Sequence, residues 1–317
     1  MKEGPLANVL LYATVVVLWG TSWLAIRFQL GIVAPEVSVA YRFYIAASVM
    51  IAFCLLSGRR LGFPLREHAS LALLGMLLFS TNFFLMYLGG QYMATGLLSV
   101  VFSMLSIFNI ANAAWMMGAR VRPRVLVGAL LGVCGIVLIF SPEVTAFRFG
   151  DAGIKGFIFA IGGTISASLG MVFSAKRAMA GRPLVQSNAW GMAYGALFMT
   201  LFALIAGKEF TFDPSWGYIL SLGHLSIMAT VIAFAAYLTL QVRIGSDRAA
   251  YASVMFPIIA LTLSTLFEGY HWTTPALLGV VIVLWGNTLV LSRPGTFSAL
   301  VRGRRAPQLE NPGGTDT

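Results

Sequence analysis

Long uncharged apolar runs alternate along this chain with short stretches that collect nearly all of its charges. Ten such runs are legible, near residues 7–26, 37–57, 69–89, 93–117, 124–141, 154–173, 186–206, 217–240, 249–267 and 275–292. A helix needs about 20 apolar residues to cross about 30 Å of hydrocarbon, because it rises 1.5 Å per residue. Inside hydrocarbon every backbone N–H and C=O must be paired within the protein, so only helices and closed barrels span a bilayer. A barrel would show segments of about ten residues that alternate in polarity, and these runs do not alternate. The pattern predicts an all-α integral membrane protein of ten transmembrane helices.

Composition agrees. Of 317 residues 58% are hydrophobic and 10% charged, against about 25% charged in a soluble domain. A formal net charge of +10 would suit nucleic acid, but the positions of the charges point elsewhere. Sixteen of the 21 Lys and Arg residues fall on one side of the predicted bundle, four (Arg27, Arg148, Lys155 and Lys208) on the other, and Arg42 lies within a span. By the positive-inside rule both termini are cytoplasmic, so basicity reports topology and no nucleic-acid partner is expected. The first run is read as an uncleaved anchor helix. Cys54 and Cys134 lie mid-span, where a thiol behaves as a small hydrophobe, so neither a disulfide nor a metal framework follows. The polar stretch 293–317 is expected to be a disordered cytoplasmic tail.

The chain also resembles itself. At a displacement of 151 residues, SMLSIFNI (103–110) lies on VMFPIIAL (254–261), Gly118 on Gly269, Gly128 on Gly279, Gly135 on Gly286 and Ser141 on Ser292. Earlier, GTSWLA (20–25) lies on GTISAS (163–168), PEVSVAYRF (35–43) on PLVQSNAWG (183–191) and YLGGQ (87–91) on YLTLQ (237–241), at 143 to 150. The units are 1–150 and 151–292, five helices each. Five is odd, so the second unit enters the membrane upside down. Inverted repeats of this kind build secondary transporters whose site lies near the midplane between the halves.

WGTSWLAIR (19–27), Pro35 with YRF (41–43), the glycine run 118–135, FPIIALTLSTLFEG (256–269) and the Gly279–Asn287 stretch together resemble the drug/metabolite transporter superfamily. The form resembled is the ten-helix one with paired EamA-type repeats, and coverage is about residues 7–292. Two positions depart from the family pattern: Ser106 stands where a proline is usual in helix 4, and Ala119 where an acidic residue is usual. The resemblance implies a multi-pass protein of a bacterial inner membrane that carries small molecules. FEGYHW (267–272) and WGN (285–287) look most like its amino-acid exporters, in particular those for aromatic amino acids.

Polar groups within spans are costly and tend to face a bundle interior or a water-filled cavity. The candidate substrate-binding residues are therefore Trp19 and Ser22 in helix 1, Asn82, Phe83 and Tyr87 in helix 3, Ser99 and Ser103 in helix 4, Thr164 and Ser168 in helix 6, His224 and Tyr237 in helix 8, and Tyr251 in helix 9. Two plainer readings stay open: small hydroxyl faces often only allow close helix packing, and Tyr251 suits an interfacial aromatic belt. Arg42, Glu268 and Pro257 are candidate gating residues. Arg42 is open to two readings, snorkelling to the outer headgroups or pairing across an outer gate with Glu268. The glycine-rich helices 5 and 10 are expected to brace the bundle or a dimer contact, Gly132 among their critical residues.

Aromatic walls with a few hydroxyls and amides suit a small amphipathic metabolite. Carriers of drugs or other metabolites and flippases of lipid-linked sugars are the nearest alternatives. A membrane-embedded enzyme would need a clustered nucleophile, base or metal set, and no such spacing occurs. The carboxylates all fall in loops, tails or span ends, and a proton-coupled carrier titrates a group inside the membrane; facilitated diffusion is favoured over His224-linked antiport. No G-x-x-x-x-G-K loop is present, so no nucleotide cofactor is expected. The implied partners are a small-molecule substrate and membrane lipids, with the chain a monomer or homodimer.

The charge count makes a direct prediction. Single cysteines at Val121 and Gly303 will both be labelled by an impermeant thiol reagent only from the cytoplasmic side. Labelling from opposite sides would overturn the topology and the inversion with it.

Overall fold

Apolar runs become helices here because a helix satisfies its own backbone within one segment. The computed structural model describes residues 5–118, 121, 123–139, 152–245, 249 and 251–291. Among these residues ten helices follow one another: α1 (Pro5–Arg27), α2 (Pro35–Leu56), α3 (Leu65–Gly90), α4 (Thr95–Met117), α5 (Pro123–Ile139), α6 (Ala152–Met179), α7 (Leu184–Ile205), α8 (Trp216–Ile244), α9 (Ala252–Phe267) and α10 (Thr274–Leu291). Eight are long and apolar enough to cross a membrane, and α5 and α9 are shorter. No strand occurs among the described residues. The expected tail, the junction at residues 150–151, the Ser141–Ser292 match, and Lys2, Arg120, Arg122, Arg148 and Arg248 of the charge count lie outside them.

The turns are punctuated in the same way in both halves. Proline follows an extended residue at the start of α2, where Ala34 has ψ 141°, and Pro183 with ψ 118° opens α7; Pro35 and Pro183 are repeat mates. Gly118 and Gly269 end α4 and α9 at φ 68° and 66°. That left-handed conformation is one in which a side chain would be strained.

Packing follows the same exchange. Helix α1 lies against α8 and α9, and its mate α6 lies against α3 and α4, the mates of those two; α2 packs on α7 and α5 on α10. The last pair shows the inversion at atomic scale. A Cβ on Gly128 would come within 2.7 Å of the Gly286 carbonyl oxygen, and one on Gly135 within 2.7 Å of the Gly279 oxygen. The register rises on α5 as it falls on α10, so these helices are antiparallel. Because Gly279 is the mate of Gly128 and Gly286 of Gly135, the contact maps onto itself when the halves are exchanged. Repeat mates that run in opposite directions are inverted repeats. On the outer side Leu130, Val133 and Val137 of α5 and Leu277, Val281 and Trp285 of α10 are exposed, an apolar surface suited to lipid.

Gly132 is not the critical glycine of this seam. A Cβ there would meet only Ile107 Cδ1 at 3.1 Å and Met104 Cε at 3.5 Å, ends of flexible side chains that can yield. Gly128 and Gly135 face backbone, which cannot. Gly135→Leu will therefore sharply reduce the yield of monodisperse protein and destabilise it by about 1–3 kcal/mol or more, while Gly132→Leu costs less. Size-exclusion profiles and thermal melting of the two variants side by side check the order.

Candidate functional site

Two of the ten helices are interrupted by wider turns, and these interruptions position the site. Leu77–Thr81 of α3 and His224–Ile232 of α8 are π-helical, and α3 and α8 are repeat mates. A π turn shifts the hydrogen-bond ladder and leaves backbone groups open to outside partners. Both segments use that freedom. The Trp19 indole N–H of α1 donates to the Ala229 carbonyl (3.2 Å) in the α8 segment. The Ser166 hydroxyl of α6 donates to the Leu77 carbonyl (2.8 Å) in the α3 segment. The donors sit on mate helices, so each half anchors the widened turn of the other.

Between them lies a cavity of about 330 Å³, at the lower end of the ~300–1,000 Å³ usual for small-molecule sites. Its wall comes from α1 (Trp19, Ser22, Trp23), α2 (Arg42), α3 (Phe79, Asn82, Phe83, Met86), α4 (Phe102, Leu105, Ser106, Asn109), α6 (Ala167, Met171), α8 (Ala229, Thr230, Phe234, Tyr237) and α9 (Ser253, Phe256), with Ile26, Leu78, Ile110 and Leu291 completing it. Three pairs of repeat mates face it together: Phe79 with Ala229, Phe102 with Ser253, and Leu105 with Phe256. The pseudo-two-fold axis therefore passes through the cavity. Its aromatic side is continuous. Trp23 stands 5.4 Å from Phe102 and 6.1 Å from Phe256, and Trp19 5.0 Å from Tyr237 and 6.5 Å from Phe256, between ring centroids. Such spacings are those of favourable aromatic pairs.

Arg42 is the charge in this wall. It is 3% exposed, so it does not snorkel. Nη2 donates to the Thr230 hydroxyl (3.1 Å), which in turn donates to the Leu225 carbonyl five residues back in the π segment (2.7 Å). The guanidinium carbon stands 4.1 Å from the centre of the Phe83 ring and 5.3 Å from that of Phe43. Nor does Arg42 meet Glu268. That carboxylate accepts from the Thr95 N–H and hydroxyl, both at 2.9 Å, and from the Ser264 hydroxyl. The two residues expected as a gate pair have separate partners, because the cap of α4 takes Glu268.

Of the sequence-derived candidates, Trp19, Ser22, Arg42, Asn82, Phe83 and Tyr237 line the cavity and the others do not. Tyr87 is fully buried behind Arg42. The hydroxyls of Ser99, Ser103 and Thr164 turn back onto the carbonyls of Gly96, Val100 and Ala160 in their own helices. Ser103 and Ser168 also receive bonds from Asn287 and Asn112, each at 2.8 Å, which tie α10 to α4 and α4 to α6. His224 meets the Thr21 hydroxyl at 3.1 Å. Tyr251 neighbours Tyr12, and Pro257 is buried within α9. Thr230, Phe102, Phe256 and Met171 were not legible as wall residues. The repeat carried no signal for them, since the mates of Phe256 and Thr230, Leu105 and Ser80, did not stand out in the sequence either.

The two ends of the bundle are held differently. At one, besides the Glu268 clasp, Gln29 donates to the Tyr218 carbonyl (2.9 Å) and the Ser221 hydroxyl (2.7 Å), and Ser38 meets the Tyr218 hydroxyl at 3.0 Å. At the other, Glu67 at the start of α3 pairs with Arg177 (3.6 Å) and Arg182 (2.9 Å), and Arg177 also bonds Ser70. The cavity wall reaches this second end at Ser253 and Leu291, where α9 begins and α10 finishes. Neither a carboxylate nor a histidine lies in the wall, and no group of His, Cys, Asp or Glu that would hold a metal occurs among the described residues.

Comparison with known proteins follows the same two halves. The profile described as the EamA-like transporter family matches residues 6–141 and again 154–292. Similar curated proteins include the uncharacterized inner membrane transporter YedA of Escherichia coli (strain K12), 25% identical over 287 residues that cover 88% of this chain and 90% of that one. A probable amino-acid metabolite efflux pump of the same strain is 25% identical over 296 residues, covering 90% and 93%. The uncharacterized transporter YoaV of Bacillus subtilis (strain 168) is 21% identical over 288 residues, covering 88% and 96%. A crystal structure described only as that of a protein shares the fold with a TM-score of 0.63, over 94% of this chain and 99% of that one, at 20% identity.

The wall predicts which side chains a bound molecule touches. Trp19→Ala and Phe83→Ala will each weaken binding of an aromatic ligand by about 1–3 kcal/mol, the usual worth of a buried large side chain, and so raise half-saturation several-fold or more. Tyr251→Phe, outside the wall, will leave it unchanged. Flux against concentration at matched protein levels separates the two outcomes.

Proposed function

The chain belongs to the EamA-like transporter family, matched over both of its halves, and on that footing we propose that it exports small amphipathic metabolites, aromatic amino acids foremost, by alternating access at the cavity between the halves. It is a multi-pass membrane transporter; the substrate class, the direction and the orientation are our reading. The observation that carries it is the cavity wall, built from mates of both repeats and rich in Trp and Phe. An inverted pair of units that shares one central site is the architecture of alternating access. A relative named as a probable amino-acid metabolite efflux pump supports the substrate class.

In this reading residues 1–150 and 151–292 are the two moving units. Trp19, Ser22, Asn82, Phe83 and Tyr237 hold substrate together with Arg42 and Thr230, while the remaining substrate-binding candidates serve packing. Both termini lie in the cytoplasm, and the exposed faces of α5 and α10 meet lipid or a second copy. The positive-inside count puts Glu67, Arg177 and Arg182 at the cytoplasmic end, so the Glu268 clasp closes the outer end and the cavity leads inward. Pro257 lies one residue past the wall residue Phe256, where α9 lacks a ladder hydrogen bond and bends at least cost. Coupling is to the substrate's own gradient, since the wall holds no carboxylate or histidine to carry a proton.

Proteoliposomes test this. Preloaded aromatic amino acid will drive saturable counterflow of labelled substrate, and a protonophore will leave it unchanged. Collapse of concentrative transport on adding the protonophore would move the coupling to His224; absence of counterflow with every amphipathic metabolite tried would remove the function.

A further inference from the structure

We propose that Arg42 is the receptor for a carboxylate, so that this site requires an amphipathic organic acid and recognises it by its anionic end and apolar body, whether or not it also carries an ammonium group. The inference rests on the cavity being the substrate site.

A guanidinium taken out of water is costly unless a counter-charge and hydrogen bonds replace its hydration. Arg42 is buried in the cavity wall, and its nitrogens Nε and Nη1 have no hydrogen-bond partner. Its supports are all neutral: the Thr230 hydroxyl, the rings of Phe83 and Phe43, and the Tyr87 hydroxyl, which is near its charge but outside hydrogen-bond geometry. No carboxylate answers it. The ion pairs among the described residues are both at Glu67, Glu268 is held by Thr95 and Ser264, and Glu36 is six residues back on the same helix, about 9 Å along its axis. A structural arginine would have its partners inside the fold. This one lines the cavity with two buried donors unpaired, so its counter-ion comes with a ligand that reaches them as the side chain turns.

The rest of the wall sets what is attached to that anion. The repeat mate of Arg42 is Trp190, so the positive charge belongs to one half alone and the ligand has one anionic end. The Trp19, Trp23, Phe102 and Phe256 cluster receives its apolar body. Near an amino group the wall has Asn82 and Asn109, whose amide oxygens are buried without partners, but no negative charge. An ammonium is tolerated there and supplies no ion pair, whereas the carboxylate supplies the one the site lacks. A planar guanidinium and a carboxylate also match in geometry.

Four compounds with one scaffold test this on the purified full chain in lipid nanodiscs, by titrating tryptophan fluorescence: 3-phenylpropanoate, phenylalanine, 3-phenylpropanamide and phenethylamine. The acid and the amino acid will bind within a few-fold of each other, the neutral amide at least ten-fold more weakly, and the amine most weakly. Arg42→Gln will bring the acid down to the affinity of the amide and leave the amide unchanged, and Arg42→Lys will restore part of the difference. Should the variants fail to fold, the wild-type series decides alone. Amide or amine binding as tightly as the acid overturns the carboxylate receptor while leaving the aromatic site in place. If none of the four binds, the cavity is not the site for such molecules, and the underlying reading falls with the inference.

Discussion

Hydrocarbon cannot hydrogen-bond, and every feature of this molecule answers to that constraint. It forces the backbone into helices, and it turns most hydroxyls inside the bundle back onto the preceding turn, as with Thr164 on Ala160 and Ser103 on Val100. Functional chemistry needs polar groups that are not consumed in this way. The π turns in α3 and α8 supply them. By slipping the ladder by one residue they open the carbonyls that anchor Trp19 and Ser166, and they set Thr230 where it meets Arg42. The site exists because regular helix is interrupted at the same place in both halves.

Scaffold and site differ in how far they keep the repeat. The bracing seam of α5 and α10 retains it atom for atom, since two backbones in contact tolerate nothing larger than glycine at Gly128, Gly135, Gly279 and Gly286. The cavity keeps the positions and changes the residues: Phe102 faces Ser253, Leu105 faces Phe256, and Arg42 has Trp190 as its mate. Symmetric packing with an asymmetric lining is what a carrier of an asymmetric molecule requires. In the proposed reading the backbone exchange moves the units, and the side chains that broke the symmetry select the cargo.

The membrane spans, their number and the repeat were legible in the sequence because each rests on a signal that survives without contacts: long apolar runs, punctuation by proline and glycine, and parity. A part of the site was legible too, where an unusual side chain such as Arg42, Asn82 or Trp19 stood out in an apolar helix. The rest was hidden for a definite reason. A helix surrounded partly by lipid and partly by protein is apolar on every side, so periodicity does not tell its inner face from its outer one. Phe102, Phe256 and Met171 were therefore indistinguishable from lipid-facing residues. The serine face of α4 misled in the opposite sense: a hydroxyl in a span signals a cavity only if its bond to its own helix is broken, and Ser99 and Ser103 keep theirs. The alignment of Arg42 with Glu268 failed because the sequence could not show that Thr95 stands nearer to the carboxylate.

For alternating access, inversion has an energetic consequence beyond topology. Exchanging the conformations of two inverted halves converts a structure open to one side into a structure open to the other, so identical halves would make the two states equal in free energy. Real halves differ, and the difference must stay within a few kcal/mol, or one state would be too rare to carry substrate. The residues that bias it are those without a counterpart at the opposite end. Here they are the Glu268 clasp on Thr95 and Ser264, with the Gln29 and Ser38 bonds beside it, set against the Glu67 pair with Arg177 and Arg182. Charge-assisted hydrogen bonds contribute about 1.5–3 kcal/mol each, and an ion pair with one partner as exposed as Arg182, at 45%, about 0–1 kcal/mol. The Arg177 pair with Glu67 is buried on both sides, at 11% and 7%, and is not discounted in that way, so each end is held by a few buried polar contacts. Opening the clasped end costs a handful of hydrogen bonds. A ligand that supplies the missing partner of Arg42, which α2 holds against the Thr230 turn of α8, acts on the same two helices that the Ser38–Tyr218 bond joins at that end.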